Sequence, residues 1–185
     1  MSTGKPLLHA LRFVRHDLLP RWALRRAFPR ARISERVKFS GDLSRCRLGD
    51  GVTILGPTVI YVCDGGGLTD SSLTVGDGTF IGEFINIRTA GQPISIGRTC
   101  LISQHITIVG SHHGTAAGTP IVDQPWHGDG VQIGDDVWIG AGSTIMSGAR
   151  IGDGAVVAAN SVVRGVVAAG DIVAGAPARV VGHRK

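Results

Sequence analysis

Along most of the chain an aliphatic residue recurs at every sixth position, each time followed by small or polar residues. The longest run is Ile133, Ile139, Ile145, Ile151, Val157 and Val163, with units reading IGDDVW, IGAGST, IMSGAR, IGDGAV, VAANSV and VRGVVA. Shorter runs stand upstream at Leu48, Ile54 and Ile60, at Val75, Ile81 and Ile87, and at Ile96, Ile102 and Ile108. A period of six matches neither the 3.6-residue turn of an α-helix nor the alternation of a hairpin ladder. It matches a flat strand of a few residues plus a short corner. Three units then close a triangular coil of about eighteen residues, and neighbouring coils pair at about 4.8 Å. The aliphatic position faces inward, so Ile133 is expected beside Ile151 on the next coil. Glycine at the second position of many units is expected to supply the backbone freedom of a tight corner. The repeat therefore predicts an all-β, parallel β-helix over residues 31–175. Period alone gives no handedness, since parallel crossovers are as a rule right-handed.

The repeat is broken in three places. One break covers residues 61–73 and includes Gly65-Gly66-Gly67; a second lies between Ile87 and Ile96 and includes Ala90-Gly91-Gln92-Pro93. The largest, over residues 109–130, carries His112, His113, Trp126 and His127. Long insertions in a regular array are loops, and loops on rigid scaffolds are where function concentrates.

The two ends do not follow the repeat. Residues 1–30 read as a basic helical segment, with Leu7, Leu8, Leu11, Val14 and Leu18 at helical spacing and Arg12, Arg15 and His16 between them. A first helix is expected over residues 5–19, stopped before Pro20, and a second over 21–28, ending at Pro29. Two roles are open for this segment. It can cap the open coil end, whose strand edges would otherwise be unpaired. It can also make peripheral contact with an anionic membrane surface through residues 5–28. Residues 170–185 are expected to leave the helix and cover its last coil, with 176–185 as a tail.

Composition and charge narrow the classes of function. Glycine is abundant at 28 residues and aromatics amount to 5%, so the core must be aliphatic. The net charge is +5, but ten of the nineteen Lys and Arg residues fall within residues 1–38, beside only Asp17 and Glu35, and the body is acidic on balance. The basic segment lacks interleaved stacking aromatics, and no nucleic acid-recognition motif is present. Cys46, Cys63 and Cys100 are odd in number and widely spaced, as expected of reduced thiols in a cytoplasmic protein. No run approaches the roughly 18 apolar residues of a spanning helix, and no secretory signal is evident. A cytoplasmic location is expected, at the inner face of the membrane if the N-terminal segment binds lipid.

Three motifs carry a family resemblance: GDDVWIG at 134–140, IGDGAVVAANSVV at 151–163 and AGAPAR at 174–179. Residues 131–179 resemble the C-terminal half of bacterial hexapeptide-repeat acyltransferases, the O-acetyltransferases of galactoside, maltose and nodulation-factor type, and the likeness extends over about residues 75–182. It implies a left-handed helix and a homotrimer. It also implies CoA-dependent transfer, with acetyl-CoA as acyl donor, no metal, and a sugar or polysaccharide precursor as acceptor. In this family a histidine at the start of the long loop is the general base. Counting seven residues from Ile106 gives His113, with His112 the adjacent alternative. An imidazole, with a reference pKa near 6.5, accepts the proton of an attacking alcohol, an effect of about 10²–10⁴ in rate.

The resemblance also implies a donor groove. Trp138 would lie against the pantetheine arm, and the Ala141 N–H, at the Gly140–Ala141 corner, would face the oxyanion. Ala159 would continue the groove, and Arg164 and Arg179 would approach phosphate. Some relatives have Thr-Lys where this chain has Arg164-Gly165, which weakens the case for a phosphate contact there. On the acceptor side, counting back from Gly97 puts Glu83 where relatives carry an asparagine, with Asn86 three residues on. Glu83 is also a candidate to orient His113. Trp126 and His127 are candidates for the acceptor pocket, and His105, inside a repeat unit, reads as a corner residue.

Other readings stay open at this point. His112 and His113 can be solvated loop residues, and Trp138 can pack at a subunit contact. The helix can be a catalytically silent scaffold. It can also be a metalloenzyme of the hexapeptide-repeat carbonic anhydrase type, which needs three converging histidines. Adjacent His112 and His113 in an extended strand would point to opposite sides.

Overall fold

The computed structural model describes residues 21–185. The helix expected over residues 5–19 lies outside them. The described chain winds as a left-handed parallel β-helix with three flat faces. The first face stacks Arg32–Ile33, Thr53–Ile54, Phe80–Ile81, Leu101–Ile102, Trp138–Ile139, Val156–Val157 and Asp171–Gly175 in parallel. The second stacks Val37–Gly41, Thr58–Val62, Asn86–Arg88, Thr107–Val109, Thr144–Ile145 and Val162–Val163. The third stacks Cys46–Leu48, Ser72–Val75, Pro93–Ile96, Val131–Ile133, Arg150–Ile151 and Val166–Val167. Ile133 pairs with Ile151, as the six-residue register requires.

Each face turns two residues per strand inward. The repeat aliphatic stacks with its equivalents, as in the column Ile54, Ile81, Ile102, Ile139, Val157 and Val173, all buried. The residue two positions earlier forms a second column, for example Val52, Thr79, Cys100, Val137 and Ala155. Removing a buried isoleucine from such a column leaves a cavity that flat, hydrogen-bonded neighbours cannot close. Core substitutions of this kind typically cost about 2–5 kcal/mol.

The corners explain the glycines differently from the reading of the repeat. Second-position glycines such as Gly134, Gly140 and Gly152 do not adopt positive φ. They are required because the next coil approaches too closely. A Cβ on Gly140 would stand 2.6 Å from the Ala159 nitrogen, and one on Gly134 would overlap the Asp153 carboxylate. That carboxylate accepts the Asp135 N–H at 2.8 Å, so aspartates after second-position glycines tie one corner to the next. The left-handed backbone sits two residues later, at the fourth position. Phe84, His105, Gly142 and Asn160 hold it along one edge with φ of 57°, 59°, 74° and 57°. His105 is thus a corner residue, stacked on Phe84 with centroids 4.6 Å apart.

Both ends are covered. A helix, α1, spans Arg21–Ala27 and places Leu24 into the core with Phe28 packed behind it. At the other end Asp171–Gly175 does not leave the helix as expected but continues the first face. Ala178–His183 then doubles back antiparallel on it and covers the free edge. No helix among the described residues is long and apolar enough to cross a membrane.

Burial governs the thiols. It pushes the Cys46 thiol up to about 12 and raises that of Cys100 as well. Because the thiolate is the reactive form, iodoacetamide at pH 8 is expected to leave both unmodified in the native protein. Only the partly exposed Cys63 should be labelled, and all three after unfolding, as read by peptide mass spectrometry.

Candidate active site

The long insertion leaves the second face after Thr107–Val109 and rejoins the third at Val131–Ile133. It is ordered by its own contacts. The amide of buried Gln124 accepts the Ala116 N–H at 2.7 Å and donates to the carbonyls of Ala116 and Thr119 at 3.0 and 2.8 Å. Ser111 ties the start of the loop to the coil below by donating to the Ala90 carbonyl at 2.7 Å. The two ends of the loop pair as a short antiparallel ladder, His112–His113 against Trp126–His127.

This ladder separates the two histidines. His112 stands opposite His127, with rings 6.3 Å apart, and His113 stands opposite Trp126, whose ring it meets edge-on at 5.3 Å. Trp126 is itself seated on the Gly65-Gly66 excursion of the second coil. Its backbone N–H donates to the Gly66 carbonyl at 2.8 Å, and a Cβ on Gly65 would come within 2.6 Å of the indole. Two of the three breaks in the repeat therefore meet, and the glycines of the first make room for the tryptophan of the third.

A cavity of about 250 Å³ opens beneath His112, His113 and Trp126, floored by Tyr61, Arg88 and Val109 of the second face. Tyr61 and Arg88 occupy one register column, and the Arg88 guanidinium carbon lies 5.6 Å from the Tyr61 ring centre. Asn86 enters the same neighbourhood because its side-chain oxygen accepts from Arg88 Nε at 3.1 Å. On the far side of the ladder, His127 joins both histidines around a second recess of about 360 Å³ under residues 114–125. Sequence spacing pointed to neither Tyr61 nor Arg88, nor to Gln124, because their roles come from contacts across coils and within the loop.

The proposed donor residues lie along another edge. The corners between the first and second faces, at 140–142 and 158–160, consist of Gly140, Ala141, Gly142, Ala158, Ala159 and Asn160. They form a strip almost free of side chains. Half-exposed Trp138 borders it on the first face and donates from Nε1 to Ser103 Oγ at 3.2 Å. The Ala141 carbonyl accepts from Asn160, while its own N–H meets no acceptor among the described residues. Glu83 lies on this edge too, its carbonyl accepting from the His105 N–H, so within one chain it does not stand beside His113. Arg164 lies on the edge between the second and third faces, away from Trp138 and Ala159. Arg179 lies in the reversed final strand opposite Ala174 and donates to the Ala178 carbonyl. The second face thus separates the histidine ladder from the Trp138–Ala159 strip. Among the described residues no three His, Cys, Asp or Glu side chains are grouped as metal ligands.

Residues 130–165 match the model of the bacterial transferase hexapeptide, six repeats. Over those residues the repeat is that of the transferase hexapeptide. No curated protein matches the chain. Among solved structures, the chain is similar to NeuO, a polySia specific acetyltransferase, at 25% identity and a TM-score of 0.60. That match covers 75% of this chain and 61% of NeuO, so the chain spans less than two thirds of that protein. It is also similar to the hexapeptide-repeat acetyltransferase VCA0836 of Vibrio cholerae O1 biovar eltor, solved with acetyl coenzyme A. Here identity is 25% and TM-score 0.64, over 100% of this chain and 93% of that one. A third likeness is to a point mutant of AntD, an N-acyltransferase from Bacillus cereus solved with dTDP and coenzyme A. Its TM-score is 0.73 over 92% and 91% of the two chains, and at 18% identity it attests the fold alone.

Proposed function

We propose that the protein is an acetyl-CoA-dependent O-acetyltransferase acting on a sugar hydroxyl, with His113 as general base. The observation that carries this reading is the histidine ladder, held by Trp126 and Gln124 over a ring-sized cavity on a transferase-hexapeptide scaffold. The acceptor oxygen attacks the thioester carbonyl while the imidazole takes its proton. The carbon–sulfur bond then breaks and CoA leaves as the thiol, with the proton returned through the base. The Ala141 N–H is the donor for the transient oxyanion. The strip from Gly140 to Asn160 suits an extended pantetheine arm because it presents backbone rather than side chains, with the Trp138 ring alongside.

The second face separates the base from this strip within one chain, which supports the reading that the complete site is shared between subunits of a homotrimer. Light scattering is expected to give a trimer; a stable monomer with full activity would refute the shared site. The reaction itself is tested by thiol release from acetyl-CoA against a panel of sugars. Acceptor-dependent release supports the reading. No release with any acceptor, together with no binding of acetyl-CoA, would leave the protein a silent scaffold.

A further inference from the structure

We infer that the acceptor is an anionic sugar, one carrying a carboxylate or phosphate, and that Arg88 is the residue that selects it. The inference rests on the acetyltransferase reading for the fate of the sugar but not for its binding. The cavity under His113 contains one permanently charged side chain, Arg88, and no Asp or Glu. Four other exposed arginines among the described residues face a carboxylate. Arg30 pairs with Asp50, Arg45 with Asp64, Arg98 with Asp135 and Arg184 with Asp136, all at 2.6–2.8 Å. Arg88 has no such partner among the described residues. Instead it is aimed by neutral groups: its Nε is spent on Asn86 Oδ1, and its plane is steadied by the Tyr61 ring.

This arrangement leaves the terminal nitrogens of the guanidinium fork for a ligand. A planar fork held in place matches carboxylate or phosphate oxygens in a bidentate manner, and fixing it in advance lowers the entropic cost of binding. The remaining lining suits a sugar ring: Val109 and Trp126 offer apolar surface, and Ser111 offers a hydroxyl. At about 250 Å³ the cavity falls below the roughly 300–1,000 Å³ of drug-sized sites. It therefore admits one ring, whose anionic group on Arg88 directs a hydroxyl toward the ladder above. A neutral sugar would fill the same space without the charge-assisted bonds.

Binding is measured first, by calorimetry without acetyl-CoA, for matched pairs: glucuronate against glucose, and galactose 6-phosphate against galactose. The acid of each pair is expected to bind about 10–100-fold more tightly, the range of one or two charge-assisted hydrogen bonds. Arg88→Gln is expected to remove that preference, lowering the affinity for the acids far more than that for the neutral sugars, and Arg88→Lys to restore part of it. Arg47→Gln, which removes a charge from the third face, should leave the preference intact. The two pairs tell carboxylate from phosphate, since the preferred anion shows the larger ratio. Equal binding of acid and neutral sugar in the wild type would overturn the inference, as would an equal loss of both in Arg88→Gln. Thiol release is then run on the same pairs. Selective, Arg88-dependent binding without turnover of any acceptor would sink the acetyltransferase reading and leave the anion site standing.

Discussion

Replacing His113 by alanine is expected to lower kcat by about 10²–10⁴, the usual contribution of a positioned general base, with little change in acetyl-CoA binding. The separation of the two effects follows from the geometry. His113 is held on the loop ladder, edge-on to Trp126, whereas the proposed donor strip lies beyond the second face. His112→Ala should cost much less, because His112 pairs across the ladder with His127 rather than with the tryptophan above Tyr61 and Arg88. Single-turnover thiol release with saturating acceptor measures the chemical step directly. If His112→Ala collapses while His113→Ala survives, the base is His112. If both variants keep wild-type rates, no base resides in this loop and the direct-transfer mechanism fails.

Much of the fold was legible because the repeat is a physical necessity of the winding. An aliphatic residue every six positions is what three flat faces around one core demand, and the largest fully buried side chains among the described residues are all Ile or Leu. What the period could not reveal is the chemistry of the corners. Glycine is permissive in two ways, and at Gly134 and Gly140 the reason is close approach rather than φ. The fourth position, where φ is positive, accepts Phe84, Thr99, His105 and Asp136 as readily as Gly78 or Gly154, so no residue type marks it.

The candidate site divides in the same way. The histidines and Trp126 stood out because a loop that interrupts a strict repeat concentrates attention on its residues. Arg88 and Tyr61 did not, since each sits at an ordinary outward position of a strand; only stacking of three coils puts them under the ladder. Gln124 looked like one polar residue among many in a loop, although its amide holds both ends of the inner turn. The meeting of Gly65-Gly66 with Trp126 joins residues about sixty apart in sequence, a contact for which spacing carries no signal.

That last contact carries the second large prediction. Gly66→Val is expected to lower kcat/KM by about 10²-fold while leaving the β-helix folded. A Cβ at this position would overlap the Trp126 indole at Cγ, and the backbone φ of +58° already disfavours a branched side chain. The ring must move, and with it the strand that carries Trp126, its N–H bond to Gly66 and its edge contact with His113. A shift of about 1 Å in a catalytic group is enough for a 10²-fold loss. The excursion is outside the stacked core columns, so far-UV circular dichroism and assembly size should match the wild type. Gly67→Ala separates the clash from the strain: Gly67 also has positive φ, at +88°, but nothing lies within 4 Å of its Cβ position. It should therefore keep near wild-type turnover. Equal losses in both variants would make backbone strain the cause. Full activity in Gly66→Val would show that the seat of Trp126 does not set the position of the histidine.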